Sequence, residues 1–196
     1  HFSVEVLEVD DPPTAYNISS ITSEDQSITI DLIASDPDTD SENLSYAITS
    51  LASNGSATIV GNSIEYSPDL NYNGTDEIYY IVNDGNSDSE SAQISLEILP
   101  ANDPPTAADV VYAVESNSLE FDLNSVVDDI DGDELEISFI TQNYGSETIS
   151  TLFDGTIEHL GNNVFSYTPP AGLVYYDFIL YKATDGISES TVQTIS

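Results

Sequence analysis

Residues 11–15 read Asp11-Pro12-Pro13-Thr14-Ala15, and the same five residue types return as Asp103-Pro104-Pro105-Thr106-Ala107. Outward from these anchors the match continues in order. Glu24 is followed by Ile28, Ile30, Asp31 and Leu32, as Glu115 is by Leu119, Phe121, Asp122 and Leu123. Asp36-Pro37-Asp38 answers Asp129-Ile130-Asp131, and Tyr66-Ser67-Pro68 answers Tyr167-Thr168-Pro169. Asp76, Tyr80 and Asp84-Gly85 answer Asp177, Tyr181 and Asp185-Gly186. Self-similarity in fixed order marks a tandem array. The spacing widens in the second copy, which places an insertion near residues 141–160. Phe2-Ser3-Val4-Glu5-Val6 aligns with Ile94-Ser95-Leu96-Glu97-Ile98. Residues 1–9 are therefore expected to be the last strand of a preceding repeat, 10–100 one repeat and 101–196 the next, a slice of a longer array.

Within each copy the apolar residues alternate. Ile28, Ile30 and Leu32, then Leu44, Tyr46 and Ile48, then Ile78, Tyr80 and Val82, then Ala92, Ile94, Leu96 and Ile98 follow the period of two of a half-buried strand. Turn clusters such as Ser53-Asn54-Gly55-Ser56, Gly61-Asn62 and Asn83-Asp84-Gly85-Asn86 separate them. No stretch carries a helical period. About seven short strands per copy predict an all-β chain of two tandem antiparallel Greek-key β-sandwiches of immunoglobulin-like type.

Composition narrows the function. The 196 residues hold 36 acids against one Lys and no Arg, a formal net charge of −35. Nucleic acid and anionic membranes are bound through Lys and Arg, so neither is an expected partner. A field this negative favours multivalent cations. With 39% hydrophobic residues and 12 Tyr there is enough apolar material for cores. The absence of cysteine rules out disulfides and thiolate metal sites. No apolar run approaches the ~18 residues of a membrane helix, and no signal peptide is evident.

The repeated acids fall at strand ends, where the loops of a sandwich gather. Calcium takes six to eight oxygens at about 2.3–2.6 Å, mostly carboxylate and carbonyl. An Asp-x-Asp pair in an extended loop aims two carboxylates one way. Magnesium fits less well, since it keeps more of its water. In Asn102-Asp103-Pro104-Pro105 the linker adds oxygens, while the prolines stop a strand ladder from running on.

Glu24-Asp25, Asp36-Pro37-Asp38, Asn71-Tyr72-Asn73-Gly74-Thr75-Asp76, Asn83-Asp84-Gly85 and Asn102-Asp103-Pro104-Pro105, taken in order, closely resemble the tandem cadherin-like repeats of large bacterial surface and biofilm proteins. The second copy departs at Pro170-Ala171-Gly172-Leu173-Val174 and at Ser116. The resemblance implies calcium between successive repeats. It assigns Glu24, Asp76, Asn102, Asp103, Asp129, Asp131 and Asp185 to the central junction. Asp10, Asp11, Asp36, Asp38 and Asp84 would belong to the preceding junction, and Glu115 and Asp177 to the following one. It further implies a secreted or cell-surface adhesin in which calcium stiffens an extender. The expected partners are calcium, neighbouring repeats and a surface polysaccharide or another adhesin, with the chain itself monomeric and not inserted in a membrane.

Catalysis finds little support. His1 and His159 are the only histidines, and His159 reads as a surface residue. Lys182 reads as isolated and exposed. A carbohydrate- or protein-binding module is the alternative. Tyr79-Tyr80 and Tyr175-Tyr176 could offer stacking faces, although alternation sends half of them to the core. Phe178 and Leu180 are expected to point outward, beneath the insertion.

Overall fold

The computed structural model describes residues 10–113, 117–140, 149–150, 155–171 and 177–196. The chain divides into two units, the first ending at Ala101 and the second running Asn102–Ser196. Residues 1–9, Glu115, Tyr175, Tyr176 and most of the inferred insertion lie outside the described residues.

Unit 1 contains β1 (Thr14–Ala15), β2 (Ile18–Ser23), β3 (Ile28–Asp31), β4 (Ala34–Ser35), β5 (Ser45–Ser50), β6 (Gly55–Val60), β7 (Ser63–Pro68), β8 (Gly74–Asn83) and β9 (Ala92–Leu99). One sheet has the order β2-β9-β8-β5, a second β3-β7-β6, and β1 pairs with β4. Strands close in sequence thus exchange sheets, which is Greek-key connectivity. The pairing is antiparallel except for β2, which lies parallel to β9. That exception has a local cause. The chain leaves Pro12-Pro13, which lack donors, runs briefly beside β4, and then shifts to β9 at Tyr16-Asn17. Asn17 Oδ1 accepts the Gln93 N–H at 2.8 Å and so fills the ladder at the shift.

Alternation delivers the core. Ile30, Ile64 and Tyr66 of the three-stranded sheet meet Ile78, Tyr80, Val82, Ile94, Leu96 and Ile98 of the other in one buried cluster. Each such side chain contributes about 1.5–3 kcal/mol relative to exposure. Tyr80 shows how a buried polar tip is satisfied. Its hydroxyl donates toward Tyr16 O at 2.7 Å and Ile33 O at 3.0 Å, pinning the split first strand to the loop after β3.

Unit 2 contains β10 (Thr106–Ala107), β11 (Leu119–Asp122), β12 (Val127–Asp128), β13 (Glu136–Ile140), β14 (Ile149–Ser150), β15 (Thr156–Gly161), β16 (Val164–Thr168), β17 (Ile179–Thr184) and β18 (Gln193–Ile195). Its sheets are β11-β16-β15-β14 and β13-β17-β18, with β10 on β12. Val110 bridges Ile195 in parallel, and Asp109 Oδ1 accepts the Thr194 N–H at 2.7 Å, repeating the strand shift of unit 1. Phe121, Leu123, Ile157, Phe165, Tyr167, Ile179, Tyr181 and Ile195 form the second core. The Tyr181 hydroxyl donates to Ala108 O at 2.5 Å, as Tyr80 does upstream in its own unit.

Several side chains outside the cores can be placed. His159 is exposed and its ring stacks on Phe165, 4.8 Å between centroids. Lys182 is not isolated: Nζ lies 2.6 Å from Glu189 Oε2, across the turn that joins β17 to β18. Phe178 and Leu180 are 38% and 41% exposed, on the face opposite to buried Ile179 and Tyr181.

Replacing Tyr80 by Phe removes one donor shared by the Tyr16 and Ile33 carbonyls, of which Ile33 O keeps the Tyr16 N–H at 3.1 Å. The variant is expected to lose about 1–2 kcal/mol in the urea transition of unit 1. Tyr46→Phe, at a partly exposed ring, serves as the comparison and should be near neutral.

Candidate metal centre

The end of unit 2 where the chain enters gathers Asn102, Asp103, Asp129, Asp131 and Asp185. Backbone N–H groups organise it. Asp131 N donates to Asp129 Oδ1 at 2.9 Å, and Asp103 N donates to Asp131 Oδ2 at 2.7 Å. Asp185 follows β17 and folds its turn around itself. Ile187 N and Ser188 N donate to Oδ1, each at 2.6 Å, and Ser188 Oγ donates to Oδ2 at 2.7 Å. These contacts, led by the Ser188 N–H, hold the Asp185 carboxyl well below the usual range. Asn102 Nδ2 donates to Asp185 Oδ2 at 3.0 Å and so ties the linker to that turn.

Unit 1 builds the same arrangement at its own entry end. Asp38 N donates to Asp36 Oδ1 at 2.7 Å, and Asp11 N donates to Asp38 Oδ2 at 2.8 Å. Asp84 accepts from Asn86 N at 2.6 Å, Ser87 N at 2.8 Å and Ser87 Oγ at 3.0 Å. The Ser87 and Asn86 N–H groups lower its pKa. Asp10 is joined to the Asp84 turn through Asn86 Nδ2, at 2.9 Å.

In both units one oxygen is left over. Oδ2 of Asp36 and Oδ2 of Asp129 are shielded from solvent and have no hydrogen-bond partner. A shielded carboxylate oxygen without a donor is costly unless a cation completes it. The acidic side chains gathered beside Asp129 include Asp131 and Asp133, and carboxylate oxygen is a donor type calcium prefers. The sole Lys is engaged with Glu189. The residues present therefore fit a hard divalent cation.

Asp133 belongs to this end as well and was not singled out in the sequence. Asp129, Asp131 and Asp133 each offer an oxygen within 4.8 Å of the others. The signal was present, because the Asp-x-Asp pair continues to a third alternate position.

Glu24 and Asp76 sit at the opposite end of unit 1. Glu24 is 2% exposed. Its Oε1 accepts the Ala101 N–H at 2.6 Å and its Oε2 the Asn73 side-chain amide at 3.3 Å, which anchors the exit of the unit. Asp76 accepts four hydrogen bonds. Ser53 N and Glu77 N reach Oδ1, and Asn54 N reaches Oδ2, each at 2.9 Å, with the Tyr66 hydroxyl on Oδ2 at 3.0 Å. Four donors use the acceptor sites of a carboxylate. Asp76 is thus a clamp between β8, the β5–β6 loop and β7. The pair recurs in unit 2, where the Tyr167 hydroxyl donates to Asp177 Oδ2 at 2.9 Å. Burial and the carboxylate beside it push both phenols, Tyr66 and Tyr167, far above their usual pKa.

Fold and loops together define a class: tandem immunoglobulin-like β-sandwiches of the cadherin-like kind. The bacterial Ig domain family matches twice, over residues 10–97 and 102–196, and the chain belongs to that family. No curated protein matches in sequence. Among solved structures, extracellular cadherin domains 1–4 of protocadherin gamma B7 align over 96% of this chain and 51% of theirs, at 18% identity and a TM-score of 0.50. The human desmocollin-1 ectodomain aligns over 96% and 36%, at 17% identity and 0.46. An endo-fucoidan hydrolase of glycoside hydrolase family 107 aligns over 94% and 28%, at 15% identity and 0.39. The chain thus spans between about a quarter and a half of these proteins, and the likeness is one of fold.

The Asp76 clamp makes stability depend on pH. Burial works to raise the Asp76 pKa, but the Ser53, Asn54 and Glu77 N–H groups and the Tyr66 hydroxyl outweigh it and leave it lowered. A carboxyl with a lowered folded-state pKa stabilises above its unfolded value and loses that contribution as pH falls through the folded one. Asp76→Asn should therefore melt below wild type at neutral pH. The gap should narrow as pH falls from about 5 toward about 2, as followed by thermal melts monitored by circular dichroism.

Proposed function

We propose that these two bacterial Ig domains are a calcium-stiffened extender of an extracellular, cell-surface adhesin, acting through geometry with no chemical step. One observation carries the reading. Both units repeat, at the same end, a cage of N–H-organised carboxylates that leaves a shielded carboxylate oxygen unpaired. Bound calcium would supply the positive charge that an end so rich in acids lacks. Asp129, Asp131, Asp185, Asn102 and Asp103 would hold it in unit 2, and Asp36, Asp38, Asp84, Asp10 and Asp11 in unit 1.

A place for the ion at the start of each unit is in keeping with the residues that lead into it. Glu24 holds the N–H of Ala101, and Asn102 and Asp103 follow at once. Fixing the residues on both sides of one peptide bond would remove freedom from the linker, and an array so fixed would stand as a rod. Cadherin-like folds and the family's bacterial Ig domains are consistent with a place outside the cell. Neighbouring repeats are then the immediate partners, and a surface polysaccharide or another adhesin the distal one.

Calcium titrated into the chain should release or absorb heat and raise the melting temperature, with magnesium as the weaker control. At a hundredfold excess over Kd the gain is about 2.7 kcal/mol. Asp131→Asn and Asp36→Asn should each remove part of the response. A melting temperature unmoved by calcium, with no heat, would leave two acidic sandwiches and no brace.

A further inference from the structure

We infer that Asn73-Gly74 is a site of spontaneous covalent modification, where the Asn73 amide is lost as ammonia and the new acid releases Glu24. The chain has two Asn-Gly steps, Asn54-Gly55 and Asn73-Gly74. In such a step the glycine nitrogen can attack the preceding side-chain carbonyl carbon, because the glycine has no β-carbon in the way. At Asn73 a bond forms between Cγ and Gly74 N, and the Cγ–Nδ2 bond breaks. Ammonia leaves, carrying the proton from Gly74 N. Water then opens the cyclic imide at either carbonyl, giving aspartate or isoaspartate. Water is the only co-reactant, and the chemistry needs no calcium.

The fold treats the two steps differently. Asn54 is half-buried and its backbone is held on both sides. Its N–H donates to Asp76 Oδ2 at 2.9 Å, and its carbonyl accepts the Asp69 N–H at 2.8 Å. Gly55 is packed as well, since a β-carbon there would collide with Ser67 O and the Tyr66 ring. Ring closure needs the backbone to swing, and here it is fixed. Asn73 and Gly74 are both exposed, where β8 begins. A β-carbon on Gly74 would meet only the hydroxyl end of Tyr72. Gly74 has φ of +139°, which side chains rarely adopt, so the turn into β8 demands a glycine at the position that makes Asn73 labile.

The consequence falls on a buried carboxylate. Glu24 is 2% exposed, and its Oε1 holds the Ala101 N–H at 2.6 Å. The Asn73 amide donates to its Oε2 at 3.3 Å. Conversion puts a second carboxylate where that donor stood. Two like charges so close repel strongly where water is scarce, and the sole Lys is engaged with Glu189 in the other unit. Glu24 is pushed off, and the Ala101 N–H is freed where the chain leaves β9. Isoaspartate also lengthens the main chain just before Gly74, which pairs with Ile98. The step thus acts as a timer on the exit brace of unit 1. Unit 2 has no such timer, because Pro170-Ala171-Gly172-Leu173-Val174 replaces the Asn-Tyr-Asn-Gly segment.

The test is to age the whole chain in mildly alkaline buffer and map its peptides by mass spectrometry over time. The mass gain of an amide-to-acid conversion should accumulate in the peptide holding Asn73, with aspartate and isoaspartate products, while the peptide holding Asn54 stays unchanged. Hydrogen exchange at the Ala101 amide should be faster on the order of tenfold in the aged chain and in Asn73→Asp, since a charge-assisted hydrogen bond is lost. Asn73→Ala removes the donor without adding charge and should raise that exchange less. An unchanged mass at Asn73, or equal conversion at Asn54, would overturn the site. Ala101 exchange in Asn73→Asp no faster than in Asn73→Ala would overturn the release of Glu24.

Discussion

Carboxylates without cationic partners govern this molecule. With 36 acids and one Lys, ion pairing can answer almost none of the negative charge. Each inward-facing carboxylate must instead be met by N–H and O–H donors, or by a cation taken from solvent. Charge-assisted hydrogen bonds of this type are shorter and stronger than neutral ones. They recur here at strand ends, where backbone donors have no ladder partner.

Two outcomes of this constraint are visible. At the exit end of unit 1 the acids are consumed by the protein. Asp76 takes four donors and locks Tyr66, while Glu24 closes on Ala101. At the entry ends the donors run out. Asp36 and Asp129 each keep an oxygen that is shielded and unpaired. Acids of similar chemistry thus divide into filled braces and carboxylates with an unpaired oxygen according to how many donors reach them.

That division also limits what repeat symmetry conveys. The strand shift at Asn17 is reproduced at Asp109, the tyrosine anchor at Tyr80 by Tyr181, and the Tyr66–Asp76 pair by Tyr167–Asp177. The loop after the Asp-x-Asp pair is not reproduced. A glycine in one unit and a 3-10 turn in the other send the third Asp along different paths.

The sequence by itself determined the fold class, because alternation with a period of two and turn clusters at regular intervals leave few choices but paired sheets. Repetition of Asp36-Pro37-Asp38 and of Asp84-Gly85 also marked acids at strand ends, while which pole of the sandwich each strand end occupies was left to the fold. What only tertiary structure decided was the state of each carboxylate. Asp76 and Asp129 look alike along the chain, yet the first is filled by N–H groups of the β5–β6 loop and by Tyr66, residues 10 to 23 positions away. Such donors converge through folding and leave no local pattern. The same holds for Asp133, whose approach to Asp129 depends on the left-handed turn at Gly132, and for the parallel β2–β9 pair, which depends on a strand that changes sheets halfway.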